Sequence, residues 1–107
     1  MKSLFISFEG ADACGKSTQV QLLAETLRTQ GRELIITREP GGTKVAEKIR
    51  DILLDKELQI SARGELLLYL AARAEHVQQV IKPALQAGKI VICDRFLDST
   101  LVYQGLA

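Results

Sequence analysis

Apolar positions along the chain alternate between two rhythms, short solid blocks and longer stretches spaced three and four apart. Lys2 to Phe8 is a block of β-branched and aromatic residues that reads as a buried strand. Thr18 to Leu27 reads as a helix with Val20, Leu22, Leu23, Ala24 and Leu27 on its apolar side and Gly31 as its C-cap. Leu34-Ile35-Ile36-Thr37 makes a second short buried strand, and Val45, Ala46, Ile49, Ile52 and Leu53 return to helical spacing. After a polar connection from Asp55 to Ile60, Ser61 is positioned to cap a long helix running through Leu66, Leu67, Tyr69, Leu70, Ala74, Val77 and Val80. The middle of that helix is apolar nearly all round, which predicts burial on more than one side, in the core or at a partner interface. Pro83 starts a last helical turn or kink that Gly88 stops. Ile90-Val91-Ile92-Cys93 is the third buried strand, and Ser99 to Gln104 begins another helix.

Strand, helix, strand within a few dozen residues is the βαβ rhythm, so the class is α/β with a parallel sheet and right-handed crossovers. The length of 107 residues and 47% hydrophobic content allow one domain with a real core and no more. Three strands are few for such a sheet and leave an edge and a helix-packing face open, so the domain reads as incomplete at its carboxyl end. A net charge of +1 gives no long-range field to gather nucleic acid or an anionic membrane. No apolar run reaches the length of a membrane span and Met1-Lys2-Ser3 leads directly into the strand, which implies a cytoplasmic protein. Cys14 and Cys93 have neither metal-like spacing nor a disulfide framework and read as small buried thiols.

The first strand and helix are joined by Gly10-Ala11-Asp12-Ala13-Cys14-Gly15-Lys16-Ser17, which fits G-x-x-x-x-G-K-[ST], the phosphate-binding P-loop. Gly10 and Gly15 let consecutive N–H groups turn around a phosphate, Lys16 reaches its oxygens, Ser17 offers a hydroxyl to Mg²⁺, and the helix start directs unsatisfied N–H groups at the anion. The fold expected is a P-loop NTPase, a three-layer αβα arrangement truncated after the third strand. Ligands of such sheets bind at the strands' carboxyl ends. There the chain carries Arg38-Glu39-Pro40-Gly41-Gly42-Thr43, then Asp94-Arg95-Phe96 with Ser99, Thr100, Tyr103 and Gln104, and the long helix adds Tyr69 and Arg73 one turn apart. A phosphate nest, a carboxylate, arginines and a flat ring around one cleft suit a kinase whose acceptor carries a phosphate and a base. His76 lies three residues beyond Arg73; as one histidine without a carboxylate partner it reads as an ordinary satisfied or solvated helix residue and stays outside the predicted site.

These residues resemble the thymidylate kinases of bacterial type. Phe8-Glu9-Gly10, Gly15-Lys16-Ser17-Thr18-Gln19, the Arg-Glu-Pro-Gly-Gly-Thr run, Ala71-Ala72-Arg73-Ala74, Ile81-Lys82-Pro83-Ala84-Leu85 and Asp94-Arg95 leading to Tyr103-Gln104-Gly105 occur in matching order across the whole chain. Since members run to about twice this length, the chain looks like the amino-terminal half of one single nucleoside-monophosphate-kinase domain. The resemblance implies transfer of the ATP γ-phosphoryl group to dTMP with Mg²⁺. It assigns Lys16 to the transferred phosphoryl group, Gly10 to Thr18 (Ala11, Asp12, Ala13, Cys14 and Gly15 included) to the ATP phosphates, and Ser17 to the metal; Asp94 reaches the metal through water, steadies the arginine clamp or forms a structural salt bridge. Asp12 would orient the acceptor's 3′-hydroxyl, Arg95 and Arg50 would clamp its monophosphate, and Arg38 and Pro40 would line its site. Tyr69 would stack on thymine where the family usually has Phe, its hydroxyl needing a partner, and Arg73 would hydrogen-bond the base. Thr100 and Gln104 resemble further base contacts, and Tyr103 the ring that disfavours ribose.

The family's catalytic arginine lies either in the P-loop, where this sequence has Ala13, or in a lid beyond Ala107. Residues 1–107 alone are therefore expected to be nearly inactive. Family members pair through helices like those at 45–53 and 61–81, so the complete protein is expected to be a homodimer. A kinase for another nucleoside or nucleotide, or a nucleotide-binding or assembly module without catalysis, are the alternative readings of the same residues.

Overall fold

The computed structural model describes the backbone of residues 3–9 and 16–95 and the side chains of 3–8 and 18–95. In chain order the elements are β1 (Leu4–Glu9), α1 (Lys16–Thr29), β2 (Leu34–Glu39), α2 (Lys44–Leu54), α3 (Ala62–His76), a π-helical turn (Val77–Ile81), α4 (Lys82–Gln86) and β3 (Ile90–Arg95). All strand pairs are parallel, and the last strand lies between the first two, in the order β1-β3-β2. Successive side chains of β3 point to opposite faces. Ile90 and Ile92 meet Val20 and Ala24 of α1, whereas Val91 meets Ile81 and Ala84 on the other side. Helices therefore cover both faces of the sheet, giving three layers.

Central position explains which strands are buried. Ile90 to Cys93 of β3 are fully enclosed, but Leu4 and Phe5 of β1 and Ile36 of β2 are exposed, because each of those strands has only one neighbour among the described residues. The expectation of three buried strands is corrected to one. Leu22, expected on the apolar side of α1, likewise faces outward.

Helix ends follow local chemistry. Gly31 (φ +78°) ends α1 with Arg32 N donating to the Leu27 carbonyl at 3.1 Å and Gly31 N to that of Arg28 at 2.9 Å, a pair of bonds that only a left-handed residue closes without strain. Ser61 Oγ accepts from Gly64 N at 3.1 Å and caps α3, and Thr43 Oγ1 accepts from Ala46 N at 3.0 Å and caps α2. The expected kink takes the form of the π-turn, in which Lys82 N–H donates to the Val77 carbonyl. It precedes Pro83, which has no N–H to give the carbonyl four residues back.

α3 packs along α2 and turns Leu66, Tyr69, Ala72 and His76 inward. Its outer side is apolar but open, with Leu67 62% exposed and Leu70 40%, and on α2 Val45 and Ile52 are likewise exposed, at 51% and 39%. Among the described residues the helix is thus buried on one side rather than on several.

Candidate acceptor site

Two periodicities meet at the carboxyl end of the sheet. Thr37 and Glu39 alternate onto one face of β2, in register with Cys93 and Arg95 of β3. Tyr69, Arg73 and His76 stand at i, i+4 and i+7 on α3, which places them along one stripe of that helix. The stripe closes over the strand face, and Glu39 becomes the hub.

The Glu39 side chain is only 1% exposed. Its Oε1 accepts from Arg73 Nη2 at 2.9 Å, Arg73 Nε at 3.1 Å and the Tyr69 hydroxyl at 3.2 Å, and Arg95 Nε lies 3.4 Å away. Its Oε2 faces His76 Nδ1 at 3.2 Å, and the other ring nitrogen of His76, Nε2, lies 2.7 Å from Thr37 Oγ1. An ionised carboxylate can only accept, so Nδ1 carries the proton. The two arginines are further ordered by aromatic rings: the Arg73 guanidinium sits over Tyr69 at 4.8 Å and also donates to its hydroxyl at 2.8 Å, and that of Arg95 sits over Phe5 at 5.8 Å.

Burial alone would push the Glu39 carboxyl up. The His76 hydrogen bond, the charge and hydrogen bonds of Arg73 and the charge of Arg95 outweigh it, and bring the group from 4.5 down to about 2. Burial raises the Tyr69 hydroxyl, with the Glu39 charge adding to it. Cys93 is pushed up to about 12 by burial first and Glu39 second, so it stays a neutral thiol. Glu39, His76 and Cys93 do bring three potential metal ligands within 4.8 Å. Both carboxylate oxygens of that set are already hydrogen-bonded within the protein.

Beyond Glu39 the chain passes through a cis peptide into Pro40 and two glycines at φ +147° and +93°. The loop is tied from α2: Arg50 Nη1 donates to the Pro40 carbonyl at 3.1 Å, and Glu47 accepts from Gly42 N at 2.8 Å while pairing with Arg38. The Arg38 hydrogen bond lowers the Glu47 carboxyl, and the same bond raises the Arg38 guanidinium.

Of the residues assigned from sequence, Tyr69, Arg73 and Arg95 are brought together on one carboxylate. Pro40 and Arg50 meet through a backbone carbonyl beside them, and Arg38 points instead to an exposed pairing with Glu47. The Tyr69 ring is 4% exposed and carries Arg73 on its face rather than presenting an open platform; the partner its hydroxyl needed is Glu39. Asp94 pairs in register with Phe8 and Arg38 on its neighbouring strands. Lys16, Ser17 and Thr18 begin α1, with no side-chain description for the first two. Gly10, Ala11, Asp12, Ala13, Cys14, Gly15, Thr100, Tyr103 and Gln104, together with the helix expected from Ser99, lie outside the described residues.

Two residues central to the cluster were not singled out by their sequence. In the sequence Glu39 stands within the Arg-Glu-Pro-Gly-Gly-Thr run with no role of its own, and His76 reads as a histidine without a carboxylate partner. His76 is fully buried and has one. The available signal was spacing: His76 continues the Tyr69–Arg73 stripe by one more turn, and Glu39 shares its strand face with Thr37.

Known proteins share this arrangement of elements. A crystal structure of thymidylate kinase from Ehrlichia chaffeensis superposes with a TM-score of 0.83 at 48% identity, covering 98% of this chain and 61% of that one. The thymidylate kinase of Thermoanaerobacter sp. (strain X514) is 58% identical over all 107 residues, which span 53% of its length, and that of Gluconobacter oxydans (strain 621H) is 55% identical over 104 residues, 49% of its length. The chain thus spans about half the length of these curated relatives. The family model described as thymidylate kinase matches residues 8–107, and the chain belongs to the thymidylate kinase family.

Proposed function

We propose that the protein of which residues 1–107 form the amino-terminal part of a single kinase domain transfers the γ-phosphoryl group of ATP to dTMP. The observation that carries this reading is the buried Glu39 holding Arg73 and Arg95 together at the carboxyl end of the sheet. Arg73, propped by Tyr69, reads the base, and Arg95 together with Arg50 meets the monophosphate. Asp12 orients the acceptor hydroxyl, and Pro40, Arg38, Thr100, Tyr103 and Gln104 complete the acceptor's surroundings.

ATP and Mg²⁺ fit the residues available. The first turn of α1 contains no acidic side chain, so nothing on the helix itself neutralises its positive end, which suits a polyphosphate. Amides from Ala13 to Thr18 and the Lys16 ammonium hold the phosphates, and Ser17 and Asp94 are hard oxygen donors of the kind Mg²⁺ takes. When bound, the ion neutralises charge on the phosphate oxygens. Among the described residues no helix is long and apolar enough to cross a membrane. The proposed reading makes the protein a cytoplasmic enzyme of nucleotide biosynthesis, with nucleotides and not nucleic acid as its partners.

Calorimetric titration with dTMP, dGMP and UMP tests the acceptor. Selective dTMP binding is expected, and preference for another nucleotide would replace thymidylate as the substrate. The exposed apolar residues Val45 and Ile52 of α2 and Leu67 and Leu70 of α3 support pairing of two copies through these helices. Light scattering on the full-length protein is expected to give a dimer, and Leu67→Glu is expected to shift it to monomer.

A further inference from the structure

The two oxygens of Glu39 are used unequally. Oε1 receives both Arg73 donors, the Tyr69 hydroxyl and the approach of Arg95, whereas Oε2 faces His76. The terminal torsion of a glutamate is broad, so contacts to one oxygen alone do not set the plane of the group. His76 sets it. The ring is itself clamped, with Thr37 against Nε2 and the Gly42 backbone against its edge, so close that a methyl group there would lie 2.7 Å from Nε2.

Occupying Oε2 has a consequence for Arg73. Arginine and carboxylate prefer to pair as two parallel N–H···O bonds, one to each oxygen. Here both Arg73 donors go to Oε1, while Oε2 faces His76. We propose that His76 is a positioning residue for the acceptor: by holding Oε2 it keeps Arg73 from closing onto Glu39 as a two-oxygen pair, and so holds the partly exposed guanidinium over the Tyr69 ring. Thr37 serves the same end by holding the ring. This inference rests on the reading of the cleft as the dTMP site.

The test uses His76→Leu and His76→Asn in the full-length protein. Leucine fills much of the volume without a donor, whereas asparagine places an N–H where Nδ1 stands. For His76→Leu the KM for dTMP is expected to rise on the order of tenfold, the factor that corresponds to loss of about one charged hydrogen bond, with the KM for ATP unchanged. His76→Asn is expected to restore most of the loss. A residue that only filled space would move neither constant selectively and would not be rescued by asparagine. NMR of the Arg73 Nε–H, slowly exchanging in the wild type and in His76→Asn and altered in His76→Leu, reads the positioning without any substrate. If the wild type declines dTMP, the acceptor assignment falls while the Arg73 signal still decides the positioning. A His76→Leu protein with an unchanged Arg73 signal and a dTMP KM within twofold of wild type overturns the proposal. Should His76→Leu not fold, Thr37→Val decides by the same two readouts, with a rise of about threefold in the dTMP KM expected and no change overturning it.

Discussion

Glu39→Ala is expected to lower the unfolding free energy by about 3–5 kcal/mol, the range for removing one partner of a buried ion pair, and to abolish the dTMP binding proposed for this site. The substitution takes from Arg73, Arg95 and His76 Nδ1 the carboxylate that they share. Repulsion then drives the arginines apart, so stability and acceptor binding fall together. Since domains are stable by only about 5–15 kcal/mol in total, urea unfolding monitored by circular dichroism reads the first effect directly, and calorimetry with dTMP reads the second. The same group gives the wild type an acid limb. Its carboxyl titrates near 2 in the folded chain against 4.5 ordinarily, so the unfolded state binds the proton first as pH falls. A group depressed in this way contributes its stability fully above about pH 4.5 and loses it as pH drops toward 2, on the order of 3 kcal/mol over that window. In Glu39→Gln this contribution is expected to be absent, leaving a flatter pH dependence below 4.5. Equal acid sensitivity in wild type and Glu39→Gln would show that the limb belongs to other carboxylates.

Gly42→Ala is expected to cost about 2–5 kcal/mol, combining backbone strain of roughly 1–2 kcal/mol with overpacking of about 1–3 kcal/mol. Gly42 has φ +93°, and a Cβ there would run into the His76 ring at Cδ2 and Nε2 and come within 3.0 Å of Thr37 Oγ1. The ring has nowhere to go, being hydrogen-bonded through both nitrogens and fully buried. Gly31→Ala is the control. Gly31 has a similar positive φ of +78° but nothing within 4 Å of a new Cβ, so it reports the backbone cost alone. Urea midpoints of the two variants separate the terms, and Gly42→Ala is expected to be the worse by about 1–3 kcal/mol. Equal losses would mean that His76 can yield, and that the clamp on Glu39 is softer than its geometry implies.

Much of this protein is legible from local pattern. The solid apolar blocks at Leu34 and Ile90, the helical spacing from Val45 and the caps at Gly31, Ser61 and Gly88 all mark elements found where expected, because each depends on residues within a turn or two of one another. The P-loop motif and the Arg-Glu-Pro-Gly-Gly-Thr run pointed to the family for the same reason, as contiguous chemistry. Strand burial was less legible. Leu4, Phe5 and Ile36 read as buried as Ile92 does, yet the order β1-β3-β2 makes only one of the three strands central. Strand order arises from crossovers of dozens of residues, which no local window contains.

The sequence by itself determined the α/β class, the family and the placing of Tyr69 and Arg73 on one helix face. Tertiary structure decided what those residues do with one another. It brought Glu39 across 37 positions to His76 and 34 to Arg73, turned Tyr69 into a prop for an arginine, and gave a histidine that looked unpartnered a buried carboxylate on one nitrogen and a threonine on the other. The physical reason is that a charge becomes a hub only once it is buried. Glu39 is an ordinary acidic side chain until β3 and α3 close around it, and only the completed fold removes the water that would otherwise share its lone pairs.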